Sequence, residues 1–189
     1  MVKAVRDSDR PNNEAMTVKL PTPKEMKAEI KAAWAELDAP NPNDMAFMKW
    51  EYGEDAVRTF AGVRPVDVDI DSVGFAAATP PLELPANAAA AYLGPYLVSL
   101  LEGFQIEEAD GFSIDIKTRS HTISTLTSPD CWTDIASPYL SGPCLSVLGN
   151  VARFIVEHGD LFQLDENEER GLERLVRSID RRLKQSHGS

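Results

Sequence analysis

The sequence predicts a mainly α fold with some α+β character: a single compact helical domain carrying a small β-ribbon or edge strand. Three observations predict it. Two segments, from Thr22 and from Asp165, open on a capping-box pattern and continue with apolar residues at helical spacing. A third, Pro143 to His158, is strongly apolar and is followed by a helix-ending Gly159. Two others, 66–70 and 112–126, alternate apolar with polar residues or are rich in Thr and β-branched residues, which suits extended chain. With 189 residues the chain is long enough to bury a core without a disulfide or metal staple.

Residues 1–20 mix charges, Asn and Pro without hydrophobic period and are expected to form a flexible arm, with Met16 a candidate natural start. The globular domain is expected over 21–184. Thr22 caps the first helix, Pro23 suits its first position and Glu25 completes the capping box. Met26, Ile30, Ala33, Trp34 and Leu37 supply its apolar stripe, and the helix should end before Pro40. A second helical stretch is expected from Asn43 or Asp44, carrying Phe47, Trp50, Val57 and Phe60, with Gly53 a candidate break and Gly62 the stop. Val66, Val68 and Ile70 alternate with Asp67, Asp69 and Asp71, the pattern of a short edge strand. An alanine-rich helix should run from Ala88 to Leu93, with Gly94-Pro95 resetting or kinking it before Tyr96 to Leu101. A two-strand ribbon is expected between Phe112 and Leu126, then a short helical turn after Ser128-Pro129 carrying Trp132 and Ile135. The helices from Pro143 and after Asp165 complete the domain, and 185–189 should fray.

The chemistry in the chain is sparse. Asp67, Asp69 and Asp71 resemble the first ligands of a calcium loop, but Ser72 stands where the turn glycine is needed and Ala78 where the bidentate acid is needed, so no metal site is expected. His121, His158 and His187 are isolated, and His158 is suited to the carbonyl end of its helix. Cys131 and Cys144 are expected to be reduced, packed thiols; the alternative for Cys131 is a reactive thiol, since it lies within fifteen residues of His121 and Asp134 and near a helix start able to lower its pKa. No phosphate-binding glycine loop or nucleophile elbow is present, and no catalytic residue or cofactor is assigned. Glu51, Glu54 and Asp55 beside Trp50 and Tyr52 form the remaining candidate carboxylate set, for an enzyme or ligand-binding domain if not for partner contact.

Net charge is −11, and it is unevenly placed. Residues 41–115 hold three basic against thirteen acidic groups, −10 of the total. Such a balance disfavours nucleic acid phosphates and anionic lipid and favours a basic protein partner. No signal-peptide or membrane-spanning run is visible, so a cytoplasmic protein is expected. The contact surface is expected to comprise Trp50, Glu51, Tyr52, Glu54, Asp55, Asp67, Asp69, Asp71, Glu107, Glu108 and Asp110. An immunity or antitoxin-like inhibitor that occludes the basic surface of a bacterial toxin is the concrete form of this expectation.

The segments Trp50-Glu51-Tyr52-Gly53-Glu54-Asp55-Ala56, Phe60-Ala61-Gly62, Phe75 to Pro80 and Tyr92 to Leu97 together resemble a pattern in small uncharacterised bacterial proteins. The resemblance implies a bacterial, helical, cytosolic protein and carries no activity.

Overall fold

Thr22 opens the first helix as its spacing requires. In the computed structural model, helix α1 (Pro23–Trp34) begins with a complete capping box: the Glu25 N–H donates to Thr22 Oγ1 at 3.3 Å, and the Glu25 carboxylate accepts from the Thr22 N–H at 2.7 Å. Residues 20–41, 60–70, 72, 84–110 and 116–186 are described, with 105–110 and 116–118 described as helical backbone. Met26, Ile30, Ala33 and Trp34 are the buried stripe of α1.

Helix α2 (Ala86–Asp110) is the long element, and every residue from Ala88 to Leu97 is buried. A helix apolar on all sides belongs at the centre of a domain. Gly94-Pro95 is expected to reset or kink it, and the helix is not broken there but runs on with Pro95 inside. The crossing with α1 explains why both residues are accommodated. Trp34 lies so close to Gly94 that a Cβ there would meet the indole at 2.6 Å, and the Trp34 Nε1–H donates to the Ala90 carbonyl at 3.0 Å. Packing against Trp34 on one turn offsets the hydrogen bond that proline removes from the same helix.

The two-strand ribbon expected between 112 and 126 is corrected over its described part, because Ile116–Thr127 forms helix α3. Its Thr125 and Thr127 hydroxyls donate to the carbonyls of His121 and Ile123 at 2.8 and 2.9 Å, which satisfies them inside a helix. Thr122, Ile123, Thr125 and Leu126 are all buried, so tertiary burial overrides the β preference of these residues. The edge strand expected at 66–70 is corrected too. Pro65–Asp67 is a 3₁₀ turn, and no strand occurs among the described residues. The alternation still reports sidedness, since Ile70 is buried and Asp67 and Asp69 are exposed, but nothing among the described residues pairs with it as a ladder.

After Ser128 the chain turns helical again, with a π-helical stretch, Cys131–Ala136, passing into the one-turn helix Ser137–Tyr139. Helix α4 (Gly142–Glu157) is capped by the Ser141 side chain, and α5 (Glu166–Ser186) by Asp165, whose carboxylate accepts from Asn167 and Glu168 N–H while Glu168 answers to the Asp165 N–H. Helix α5 runs into the expected frayed tail as far as Ser186. Leu145, Leu148, Val151, Ala152 and Ile155 of α4 are buried with Leu172, Leu175 and Ile179 of α5, the most extensive helix pair. Arg153 and Asp180 form an ion pair across it.

The main helix contacts run α1 to α4, α4 to α5, α5 to α3, α3 to α2 and α2 back to α1. Each of the five helices thus has its main helix contacts with two others, and the circuit closes around one hydrophobic cluster. At the α3–α5 crossing a Cβ on Gly171 would meet Thr127 Cβ at 2.7 Å, so only glycine permits this approach. The Tyr92 hydroxyl on α2 is shared between the carbonyls of Phe60 and Val63, the latter at 2.9 Å, which fastens the 60–70 segment to the central helix. Burial pushes that phenol up to about 12. No helix of the described residues is long and apolar enough to cross a membrane.

Candidate functional site

The 3₁₀ turn sets the first wall of a cleft. Pro65 fixes the backbone at its start, Val66 and Val68 lean on the core, and Asp67 and Asp69 stay outward. Helix α1 contributes Ile30, Lys31 and Trp34, and α2 contributes Gly94, Pro95, Val98 and Glu102. The space between them is about 350 Å³. Its floor is aromatic and aliphatic, and its rim carries the carboxylates of Asp67, Asp69 and Glu102. The absence of a Cβ at Gly94 is what lets the indole of Trp34 close the bottom of the cleft.

The rim is electrostatically more balanced than the acidic middle of the chain suggests. Arg64 holds Asp67 in a two-point contact, Nε to Oδ2 at 2.8 Å and Nη2 to Oδ1 at 3.2 Å. Lys27 of α1 reaches Glu102 at 3.4 Å, and Lys31 lines the cleft itself. These pairs are partly or well exposed, so each contributes at most about 1 kcal/mol. They still cancel local field: a helix from the charge-neutral first forty residues lies across the carboxylates of the acidic segment.

The structure brings together only part of the expected contact surface. Asp67 and Asp69 share the cleft. Glu107, Glu108 and Asp110 lie on the last turns of α2, where negative charge opposes the helix dipole. Trp50, Glu51, Tyr52, Glu54, Asp55 and Asp71 lie outside the described residues. Trp34, Lys31 and Glu102 were not anticipated as site residues. Glu102 had a signal, since it is the one charged residue between Glu83 and Glu107 on an otherwise apolar helix.

Cys131 follows the packed-thiol reading and not the activated one. It is fully buried, and burial pushes its thiol up to about 12, so it stays protonated and out of contact with solvent. Cys144 is also buried and its thiol is raised by desolvation; its Sγ donates to the Ala33 carbonyl at 3.3 Å, tying α4 to α1. His158 stands at the end of α4 as expected, but its ring packs on Phe154 and Phe104, with centroids 4.4 and 5.4 Å away, while its backbone N–H makes the capping bond to Phe154. Among the described residues no group of three or more His, Cys, Asp or Glu side chains converges on a point.

Fold and site together define a mainly helical protein whose cleft joins an apolar floor to a carboxylate rim. No family model, curated protein or solved structure matches the chain.

Proposed function

We propose that the protein is a binding module for a basic protein partner, and that the cleft between α1, α2 and the 65–69 turn receives a basic side chain of that partner. The single observation that carries this is the pairing, in about 350 Å³, of a buried indole floor with the carboxylates of Asp67, Asp69 and Glu102. A lysine or arginine stem lies against apolar walls while its charged head meets carboxylates, so the cleft suits both ends of such a chain. The −10 charge of residues 41–115 gives longer-range attraction for the same partner. An immunity or antitoxin-like inhibitor of a bacterial toxin remains the concrete form of the proposal.

The test is association kinetics with a partner captured from the native cell and identified as basic. Asp67→Asn with Asp69→Asn should slow association and flatten its dependence on ionic strength while the melting temperature stays unchanged. Unchanged rate and unchanged salt slope in a folded double variant would refute the role of this rim.

A further inference from the structure

Helix α5 is divided in charge. Residues 166–173 carry four acidic groups against Arg170, and residues 174–186 carry five basic groups against Asp180. The helix dipole favours that order, with cations near the carbonyl end. Arg170 and Arg177 are paired with Glu166 and Glu173, and Asp180 is taken by Arg153. Arg174, Arg181, Arg182 and Lys184 meet no carboxylate among the described residues, although the chain has eleven more acidic than basic groups. Of these, Arg181 and Arg182 stand together at one pocket.

Both arginines line a pocket of about 260 Å³ with Trp132, Ser137, Ser178 and Gln185. Arg182 Nη1 donates to Ser137 Oγ at 2.9 Å and Arg181 Nη2 to Ser178 Oγ at 3.5 Å. A serine oxygen that accepts from a guanidinium keeps its own proton to donate, and neither hydroxyl has an acceptor among the described residues. The lining thus offers two full positive charges and two hydroxyl protons. The π-helical stretch helps to build it. In a regular α-helix residues five apart face roughly 140° away from one another. The wider π turn, closed by the Ser137 N–H on the Trp132 carbonyl, brings those two residues to the same pocket.

We propose that this pocket is a binding site for a phosphate-type oxyanion. Two guanidiniums match the charge of a phosphate better than that of a single carboxylate, and their planar donors suit its oxygens. The volume lies below the range of about 300–1,000 Å³ usual for whole drug-sized ligands, so the site accepts the anionic group itself. The carbonyl end of α5 disfavours an anion, which makes the two arginines the decisive groups. This site is separate from the cleft of the proposed partner contact and does not depend on it.

The test is calorimetric titration with inorganic phosphate at constant ionic strength, using the full chain and four variants whose folding is checked by thermal melts. Saturable one-to-one binding is expected, weakened about tenfold or more by Arg181→Gln and by Arg182→Gln. Ser137→Ala should weaken it by a smaller factor without changing charge. Arg174→Gln, on the same helix outside the pocket, should leave binding within about twofold of the parent. If Arg182→Gln fails to fold, the exposed Arg181 carries the same test. Phenyl phosphate distinguishes the source: tighter binding than inorganic phosphate assigns the site to a phosphorylated organic ligand beside Trp132, and equal or weaker binding assigns it to the free ion. No saturation by about 50 mM phosphate, or equal weakening by Arg174→Gln, would overturn the proposal.

Discussion

The cleft of α1 and α2 and the pocket of α5 lie in opposite electrostatic settings from those their sequence segments suggest. The cleft draws its carboxylates from the most acidic part of the chain, yet Lys27, Lys31 and Arg64 stand among them. The pocket falls within residues 116–189, whose net charge is −1, yet it presents two arginines that no carboxylate among the described residues answers. Counting charge along a sequence averages over neighbours that folding separates, and omits neighbours that folding supplies. Local field follows from which helix crosses which.

The largest expected effect removes the floor of the cleft. Trp34→Ala should cost about 3–5 kcal/mol, because it opens a cavity against Gly94 and strands the Ala90 carbonyl contact. Chemical denaturation measures it, and a loss under 1 kcal/mol would show that the α1–α2 crossing is not a principal contact. Leu148→Ala in α4 or Leu175→Ala in α5 should cost about 2–5 kcal/mol, and a pair of such changes should fall short of additivity because both sides share one seam. Neither should alter phosphate affinity at temperatures where the variant is folded, which separates the core from the pocket.

Alkaline pH should bring a smaller loss. Cys131 keeps its proton up to about 12 when folded, against an ordinary value of 9.0, and Tyr92 up to about 12 against 10.0. The unfolded chain therefore releases these protons first, so stability is intact below pH 9 and declines as pH rises towards 12. The slope should approach about 1.4 kcal/mol per pH unit per group, and native Cys131 should resist thiol reagents at pH 8 until the protein opens. The smallest effect sharpens the comparison most. Arg64→Gln releases Asp67, should change stability by less than about 1 kcal/mol, and should speed association with a basic partner. An unchanged association rate would mean that the pairing of the rim does not moderate its field.

Much of the helical framework was legible because local chemistry and burial agreed. Thr22 with Glu25 and Asp165 with Glu168 cap the helices they were expected to cap, and Leu172, Leu175 and Ile179 form the expected stripe of α5. The misreadings occur where tertiary packing opposes local preference. Thr122, Ile123 and Thr125 favour a strand, but α3 buries them against its neighbours and returns the Thr125 hydroxyl to the backbone. Val66, Val68 and Ile70 turn inward and Asp67 and Asp69 outward, as the alternation implies, without a strand beside them among the described residues. The cleft was half legible: Asp67 and Asp69 were visible as an acidic pair, whereas Trp34 joins them only through a crossing between segments distant in sequence. The arginine pocket gave a weaker signal still, because regional charge totals hid the division within α5.

The closed circuit of helices also governs the order in which the chain can complete itself during synthesis. Helix α1 is made first, but one of its two partners, α4, arrives more than a hundred residues later, as the contact from Cys144 to Ala33 records. Until α4 has been made, the buried stripe of α1 lacks part of the surface that shields it. The α4–α5 pair, by contrast, is sequentially adjacent and can form with little loop closure. In the interval before α4 is made, α1 is an amphipathic helix whose apolar stripe awaits part of its cover, the state in which a nascent chain is most open to a chaperone.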